Sequence, residues 1–474
     1  MQLPTDEFHS DSEPSLPIGE DGHITPLVIP RAEHPISRKK ISPEALRVLY
    51  GLYHAGYKAY LVGGSVRDLL LKREPKDFDV VTDAHPREIK AVFRNSRIIG
   101  RRFQVAHVHF GKDKIVEVST FRSLPVADDA IDAEALPPDG AEPQETAEAN
   151  GQETPAKRRW IDENQFGSEE EDALRRDLTI NALFYDIATF SVIDYVGGLS
   201  DLHDEIIRII GDPDVRFTED PVRIIRAIRH AARTGFKIEP RTLAAIRKHH
   251  PLLPTCAPAR VLEEFLRELR GGSSYESFRL MVDTSVLKTL FPPIAEYLGP
   301  PPVMEPEPGT PWYRLKALDR LRAERGTPPS DSILLAHIAV PILEKDVEEA
   351  CDPSLTKGQL ASRLDQLRLR YEEVCAALGL PRRMCMLAGH HLAGMCRIRR
   401  TIDGGSLARG LVGKSYFKDA YALYELDAIA RGETPIDPQN LVASAQAHGP
   451  AESGGPPPRR RRRRRRKPPT HKEH

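Results

Sequence analysis

Hydrophobic positions in the first half of the chain follow two periodicities. From Ser42, an N-cap residue followed by Pro43, apolar residues recur at helical spacing up to about Gly56. Four segments are predicted to be strands, by short apolar runs or by alternation: residues 59–62, 78–81, 105–110 and 115–120. The last two are joined by a polar turn and predict a hairpin. Helices mixed with antiparallel strands predict an α+β fold rather than a doubly wound sheet.

The pattern changes along the chain and suggests its division into parts. From Pro221 onward helical spacing dominates, whereas both ends are polar and rich in Pro or charge. We expect a disordered segment at residues 1–40, a head at 41–200, a helical neck at 201–272, a helical body at 273–445 and a disordered tail at 446–474. Within the head, residues 124–168 lack apolar periodicity and are expected to form a mobile insert.

Charge is distributed very unevenly. The formal net charge is −1, which alone would argue against a nucleic-acid partner. Residues 125–172, however, contain 15 acidic and 3 basic residues, whereas one run near the C-terminus carries +9. The net value is therefore the sum of two opposed regions.

The basic run is the strongest single feature of the tail. It consists of Arg459, Arg460, Arg461, Arg462, Arg463, Arg464, Arg465, Arg466 and Lys467. Such a dense run cannot fold by itself, and it is suited to binding RNA phosphates without sequence preference. A localisation signal or a solvated chain end are the alternatives.

Other features exclude several classes of protein. No apolar run is long enough for a membrane span, and the N-terminus lacks the regions of a signal peptide. Five cysteines without a CxxC pair argue against a disulfide scaffold or a zinc ribbon. We expect a cytoplasmic monomer with no membrane partner.

Two adjacent features predict phosphate chemistry. Gly63 and Gly64 follow a predicted strand and precede a helix, where backbone N–H groups can approach a triphosphate closely. Asp77 and Asp79 lie two residues apart on a predicted strand, so that both carboxylates face one side and can hold a pair of Mg²⁺ ions. Each feature alone would be an ordinary glycine turn or a solvated edge strand; their order and spacing together favour a catalytic site.

The stretch VGGSVRDLLLKREPKDFDVVT (residues 62–82) resembles motif A of the class II nucleotidyltransferases. This polymerase-β-like family holds CCA-adding enzymes and bacterial poly(A) polymerases. Three further segments are similar to family motifs and occur in family order: residues 171–183, 194–202 and 219–223. Leu178 departs from the family pattern, in which Phe is usual. The acidic insert is longer than expected.

The resemblance implies roles for individual residues. The implied catalytic acids are Asp77, Asp79 and Asp177, of which Asp77 and Asp79 would hold Mg²⁺. The implied contacts to the ATP triphosphate and ribose are Gly63, Gly64, Arg67, Arg175 and Arg176. The implied contacts to the base come from Asp220, Arg223 and Arg226.

Alternatives exist for several of these residues. Glu117, on a predicted strand, competes with Asp177 as a third inward carboxylate. The pair of Arg175 and Arg176 before Asp177 could be a surface ion-pair cluster. Asp220 and Arg223, three apart on a predicted helix, could form a supporting salt bridge.

The resemblance implies template-independent addition of AMP from ATP to RNA 3′ ends, with release of pyrophosphate. Residues 34–42, 100–108 and 162–168 are similar to segments of bacterial poly(A) polymerases, and a basic tail suits an enzyme that accepts many RNA ends. Addition of CCA to tRNA is the first alternative. A non-catalytic RNA-binding adaptor that has kept the fold is the second, although the intact acids argue against it.

Overall fold

The computed structural model describes residues 24–100, 104–111, 114–123, 166–377, 379–402 and 409–447. The predicted mobility of the insert falls mostly on residues 124–165, outside the described residues. The arginine-rich run of the tail and residues 1–23 also lie outside them.

One mixed sheet forms the centre of the head. Its strands are β1 Leu27–Ile29, β2 Ala59–Val62, β3 Asp79–Thr82, β4 Ser96–Ile99, β5 Val105–Phe110, β6 Lys114–Thr120, β7 Leu183–Asp186 and β8 Val192–Asp194. In space their order is β1-β8-β7-β2-β3-β6-β5-β4. All neighbours are antiparallel except β3 and β6, which are parallel. The α+β prediction and the β5–β6 hairpin are confirmed.

Five helices accompany this sheet: α1 Pro43–His54, α2 Gly64–Leu70, α3 Pro86–Val92, α4 Glu169–Leu174 and α5 Gly198–His203. The first begins as its capping residues predict. Ser42 Oγ accepts a hydrogen bond from the backbone N–H of Ala45 at 3.1 Å, and Pro43 occupies the first turn. The local signal was therefore sufficient for this element.

Residues 24–40 are ordered, contrary to the disorder expected for residues 1–40. Strand β1 extends the sheet by pairing with β8, and Ile36 is completely buried. His34 Nε2 donates a hydrogen bond to the Phe190 carbonyl oxygen, 2.9 Å away. A strand of three residues has too few positions to show alternation, and its order comes from a distant partner.

Residues beyond the head are almost entirely helical, apart from the short parallel pair β9 Ile206–Ile207 and β10 Lys237–Ile238. The helices that follow α5 and lead up to the body are α6 Pro213–Glu219, α7 Val222–Thr234, α8 Pro240–His249 and α9 Pro258–Gly271. The body contains α10 Ser274–Asp283, α11 Val286–Leu290, α12 Pro292–Leu298, α13 Pro311–Arg325, α14 Asp331–Ala339, α15 Glu344–Cys351, α16 Lys357–Ala377, α17 Arg382–Ile402, α18 Arg409–Val412, α19 Phe417–Arg431 and α20 Pro438–Ala447.

The two largest hydrophobic cores hold these parts together. The larger is continuous from the head sheet through α7 to α13, with Leu61, Ile225 and Leu318 fully buried. The second lies among the C-terminal helices around Tyr371 and Leu392. Because the larger core is continuous from head to neck, α7 is packed in a fixed position relative to the head sheet. None of the described helices combines the length and apolar character needed to cross a bilayer. All five cysteines are free thiols.

Candidate active site

The predicted glycine turn lies between strand β2 and helix α2. Gly63 has φ +74° and ψ −143°, a conformation that side chains rarely adopt, and α2 begins at Gly64. A Cβ on Gly63 would lie 3.9 Å from Arg176 Nη1 and 4.0 Å from Asp79 Oδ2. The turn, Arg176 and Asp79 therefore face the same space, which we call the cleft.

A group of carboxylates forms beside this turn. Val80 pairs with Val118 in the parallel β3–β6 ladder, so the preceding residues, Asp79 and Glu117, lie next to each other. Partial burial, together with the negative charges of Glu117 and Asp77, raises the pKa of Asp79 to about 6. The like charges around Asp79 would favour binding of a cation there.

We expected Asp77 to lie on the strand. Strand β3 begins only at Asp79, so Asp77 lies in the loop between α2 and β3. The strict same-face argument from strand alternation therefore fails. Asp77 still lies close enough to raise the pKa of Asp79. A loop position at the start of a strand tolerates a charged, solvated side chain better than a central strand does.

The donor set fits Mg²⁺. Carboxylate oxygens are hard ligands, and Asp79 with Asp77 is placed to hold a divalent cation, with Glu117 adjacent. Within the described ranges, no three His, Cys, Asp or Glu side chains already converge on one point. Mg²⁺ usually completes its shell with water and substrate phosphates, so two or three protein oxygens are enough.

The two consecutive arginines follow α4. Arg176 is fixed by Asp172, with Nε and Nη2 at 3.1 and 2.7 Å from Oδ2, and its guanidinium lies 5.5 Å from the Phe184 ring centroid. Arg175 forms no ion pair with the residues that the structure describes. Burial and the nearby charge of Arg122 lower its pKa to about 10. Arg176 faces the cleft and Arg175, a partly buried cation, precedes it directly; two such cations are suited to an anionic ligand.

Asp177, the predicted third catalytic acid, is held by two arginines of α7. Its Oδ1 accepts from Arg223 Nε at 2.9 Å, and its Oδ2 lies 2.5 Å from Arg226 Nε. Burial alone would raise the pKa of Asp177, but Arg226 and Arg223 outweigh it and keep the pKa below its usual value. The structure thus places Asp177 with the predicted base-contacting residues, whereas Glu117 lies beside Asp79.

The expectation that Asp220 and Arg223 lie three apart on one helix is wrong. Asp220 directly follows α6 and has an extended backbone, and α7 begins only at Val222. Asp220 Oδ2 accepts a hydrogen bond from Arg260 Nη2 at 2.8 Å, whereas the Arg223 side chain binds Asp177. Pro221 separates the two helices, so that helical spacing does not apply across it.

Arg67 lies beneath the glycine turn and not in the open cleft. It is 1% exposed, and its guanidinium bonds Asp68 at 2.7 Å and Asn181 Oδ1 at 2.7 Å. A Cβ on Gly64 would lie 3.4 Å from Arg67 Nη2. In this arrangement Arg67 supports the turn from below, and its predicted contact with a triphosphate stays a prediction that the burial does not favour.

Several residues of the site were not predicted. Arg216 donates from Nη2 to the carbonyls of Arg175 and Arg176 at 2.7 and 2.9 Å, which fixes the backbone of both. Glu264 on α9 pairs with Arg226 and Arg229 of α7. These contacts join residues about 35 or more positions apart, for which periodicity and spacing carry no signal.

Comparison with known proteins agrees with this geometry. Residues 59–208 match the "Poly A polymerase head domain" profile, and residues 235–298 match "Probable RNA and SrmB- binding site of polymerase A". Poly(A) polymerase I of Salmonella typhimurium is 38% identical over 434 residues, covering 91% of this chain and 87% of the relative. The CCA-adding enzyme of Lactobacillus helveticus is 36% identical, but over only 51% of this chain and 54% of the relative.

A solved structure shows the same fold. The Bacillus stearothermophilus CCA-adding enzyme, crystallised with CTP, aligns with a TM-score of 0.52 at 24% identity, over 86% of this chain and 82% of that one. The similarity to the poly(A) polymerase extends from the head through the neck and body at substantial identity. The chain therefore belongs to the bacterial poly(A) polymerase family of nucleotidyltransferases.

Proposed function

We propose that this protein is a template-independent polynucleotide adenylyltransferase, which adds AMP from ATP to RNA 3′ ends and releases pyrophosphate. The observation that carries the proposal is the carboxylate group around Asp79, which faces the Gly63 turn and Arg176 within one cleft. Acids for metal ions, a glycine turn for phosphates and arginines for the leaving group are the parts that phosphoryl transfer requires.

The acids prepare the attacking group. Asp77 and Asp79 would hold Mg²⁺, which when bound lowers the pKa of the RNA 3′-hydroxyl and neutralises charge on the reacting phosphate. Asp79 is ionised above its pKa of about 6 and is then able to act as a ligand. Glu117 adds negative charge beside Asp79 and is the third carboxylate that this arrangement favours.

The turn and the arginines orient the nucleotide. Backbone N–H groups at Gly63 and Gly64 would contact the triphosphate, with Arg175 and Arg176 binding the charge that moves onto pyrophosphate. Asp172 and Arg216 hold these two residues in place. The α-phosphate is thereby presented for in-line attack by the RNA 3′-oxygen.

Residues of the neck would select the base. Arg223 is oriented by Asp177 and by Glu219, whose Oε2 lies 3.0 Å from Arg223 Nη1. Asp220 is oriented by Arg260. Side chains fixed in this way present a defined set of donors and acceptors to the edge of an incoming adenine.

The remaining features extend the proposal beyond the cleft. The run from Arg459 to Lys467 would tether RNA through its phosphates and raise the local concentration of 3′ ends. We infer that the enzyme acts as a monomer in the cytoplasm, where ATP and RNA are both present. The body and neck would provide further contacts for the RNA strand.

An incorporation assay tests the proposal. The full chain is incubated with Mg²⁺ and labelled ATP or CTP, and with either a generic RNA or a tRNA lacking its 3′ CCA. Long A tails on the generic RNA, absent without Mg²⁺, are the expected result. Addition of C and A only to the truncated tRNA would identify a CCA-adding enzyme instead, and no incorporation at all would leave the non-catalytic adaptor.

A further inference from the structure

His230 of α7 lies against the head and takes no part in the site described above. Its Nδ1 lies 3.2 Å from Arg67 Nη1, and its Nε2 lies 3.3 Å from Asn181 Nδ2. Arg67 Nη1 also donates to Asn181 Oδ1 at 2.7 Å, so that the three side chains contact one another. Arg67 belongs to α2 and Asn181 to a single 3₁₀ turn, Thr179–Asn181, whereas His230 belongs to the neck. The group therefore joins two segments of the head to one helix of the neck.

The ring of His230 is neutral and accepts a hydrogen bond from Arg67. Burial, followed by the positive charges of Arg67 and of three further arginines of α7, holds the pKa of His230 well below its usual value. A neutral imidazole has one acceptor nitrogen, and a guanidinium can only donate. The bond from Arg67 is charge-assisted and the stronger of the two contacts, so we assign the acceptor to Nδ1. The longer contact with Asn181 is then one of packing.

Arg67 in turn supports the glycine turn. Its backbone N–H donates to the Gly63 carbonyl at 3.3 Å, and a Cβ on Gly64 would lie 3.4 Å from its Nη2. Nε and Nη2 of Arg67 both donate to Asp68 Oδ1, at 2.9 and 2.7 Å. With Nη1 held as described, every nitrogen of the guanidinium has a partner. The position of this guanidinium therefore sets the position of the turn that packs on it.

The same face of α7 also carries arginines proposed to contact the base. Arg223, Arg226 and His230 are spaced by three and four positions, so they lie along one side of the helix. The first two bind Asp177, and the third binds Arg67. Helix α7 is continuous over 13 residues and contains neither proline nor glycine. Its base-contacting end and its Arg67-contacting end must therefore move together.

We propose that His230 is a positioning residue that couples recognition of the adenine base in the neck to alignment of the triphosphate on the Gly63 turn. This rests on the proposed function and adds a route by which the base and phosphate sites communicate. A base that fits Arg223 holds α7 where His230 meets Arg67, and the turn is then set for reaction. A base that fits poorly displaces α7 and leaves the α-phosphate out of line, which slows the chemical step more than it weakens nucleotide binding.

Steady-state kinetics of His230→Leu and His230→Asn test the proposal, with oligo(A) RNA and either ATP or CTP as substrates. Leucine fills the space but has no acceptor, so kcat for ATP should fall about tenfold while KM for ATP changes less than about threefold. The ratio of kcat/KM for ATP to that for CTP should also fall about tenfold, because CTP does not benefit from the coupling. Asparagine places an acceptor oxygen where Nδ1 lies and should restore both quantities to within about threefold of the wild type.

His337→Leu is the matched control. His337 of α14 makes the same kind of contact in the body, with Nδ1 3.3 Å from Arg314 Nη1 of α13, and burial lowers its pKa to about 3. Loss of this acceptor should lower the midpoint of thermal unfolding but leave the ATP-to-CTP ratio unchanged. An equal change of the ratio in both variants would show that loss of stability is the cause, and would overturn the proposal.

A double-mutant cycle with Arg223→Ala separates coupling from local damage. In the Arg223→Ala background, His230→Leu should change the ATP-to-CTP ratio less than about twofold, because the base site no longer has a signal to pass on. A tenfold loss that persists there would overturn the proposal, as would a wild-type ratio in folded His230→Leu. If His230→Leu does not fold, His230→Gln replaces it, since its amide extends past Nδ1, and it should show the same loss. Failure of the wild type to incorporate AMP would instead contradict the proposed function.

Discussion

Carboxylates are arranged in opposite ways in the cleft and in the neck. In the cleft, Asp77, Asp79 and Glu117 gather near one another, and within the described residues neither Asp77 nor Asp79 has an ion-pair partner. In the neck, two of the described carboxylates that face α7 are paired with its arginines. Asp177 binds Arg223 and Arg226, and Glu264 binds Arg229.

The difference indicates which charges serve the fold and which serve a ligand. A buried carboxylate that bonds two guanidiniums is compensated within the chain, and removing it leaves unpaired cations. A cluster of like charges is compensated only when an ion or substrate arrives. The same substitution, Asp to Asn, should therefore have different consequences in the two regions.

The largest effect is expected at Asp79. Asp79→Asn, or Asp77→Asn, removes a metal ligand and should reduce kcat for AMP incorporation by about 10³-fold or more. The fold should remain intact, because the substitution relieves repulsion by neighbouring acids and breaks no ion pair. Thermal unfolding and an incorporation assay are measured together. Near-normal activity of either variant would refute the assignment of the metal site.

The matched substitution in the neck is Asp177→Asn. It leaves Arg223 and Arg226 without their shared carboxylate, so we expect a loss of about 2–3 kcal/mol in the free energy of unfolding. Urea denaturation measures this loss. A stability equal to that of Asp79→Asn would show that the contrast between the two regions is wrong. If Asp177 is a catalytic acid as well, as the family resemblance implies, activity should fall further than the loss of stability explains.

A smaller effect is expected from Glu268 on α9, which is fully buried with Oε1 3.9 Å from Arg229 Nη1. Burial raises the pKa of Glu268 from 4.5 to about 7, although Arg229 and Ser277 oppose the shift. Because the folded state holds this proton more tightly, the contribution of Glu268 to stability falls as pH rises from about 4.5 to 7. Above about pH 7 the contribution of Glu268 to stability stays constant.

Glu268→Gln should remove that dependence. Between pH 5 and pH 8 the wild type should lose about 2 kcal/mol relative to the variant. Denaturation curves at the two pH values measure the difference. Parallel pH profiles for both proteins would mean that Glu268 is ionised normally and belongs with the paired acids. Ser277→Ala is a useful control, since it removes the 2.6 Å hydrogen bond to Glu268 Oε2 but leaves the carboxyl group.

The smallest effect on chemistry is expected from the tail. Deletion of Arg459 to Lys467 should weaken RNA binding about tenfold and flatten its salt dependence, by up to about 6 in slope if all nine side chains contact phosphates. AMP addition at saturating RNA should persist. An unchanged salt slope in the truncated protein would remove the tail from the RNA-binding surface.

Local features of the fold were predictable from the sequence. The Ser42 cap, the Gly63 turn and the β5–β6 hairpin depend on neighbours within a few residues, and all are found. Long-range placement was not predictable in this way. Order at β1 depends on a partner more than 150 residues later, and Pro221 breaks the helical spacing assumed for Asp220.

The site shows the same limit. The motifs identified the acids and arginines, but not which of them pair. Arg67 and Arg176 each directly precede an aspartate in the sequence, yet one is buried against Asn181 and the other faces Gly63. Which charge remains uncompensated is decided by residues far away in the chain, and this is the property on which the chemistry depends.

The position of β1 has a consequence for synthesis of the chain. This first strand pairs with β8, the last of the sheet, and nearby His34 bonds Phe190, 156 residues later. At ordinary translation rates of about 5–20 residues per second, the early segment must wait roughly 10 to 30 s for its partner. The edge of the head sheet therefore forms only after Asp77 and Asp79 have been synthesised, and a nascent chain stalled before residue 190 would expose Ile36 to solvent or to chaperones.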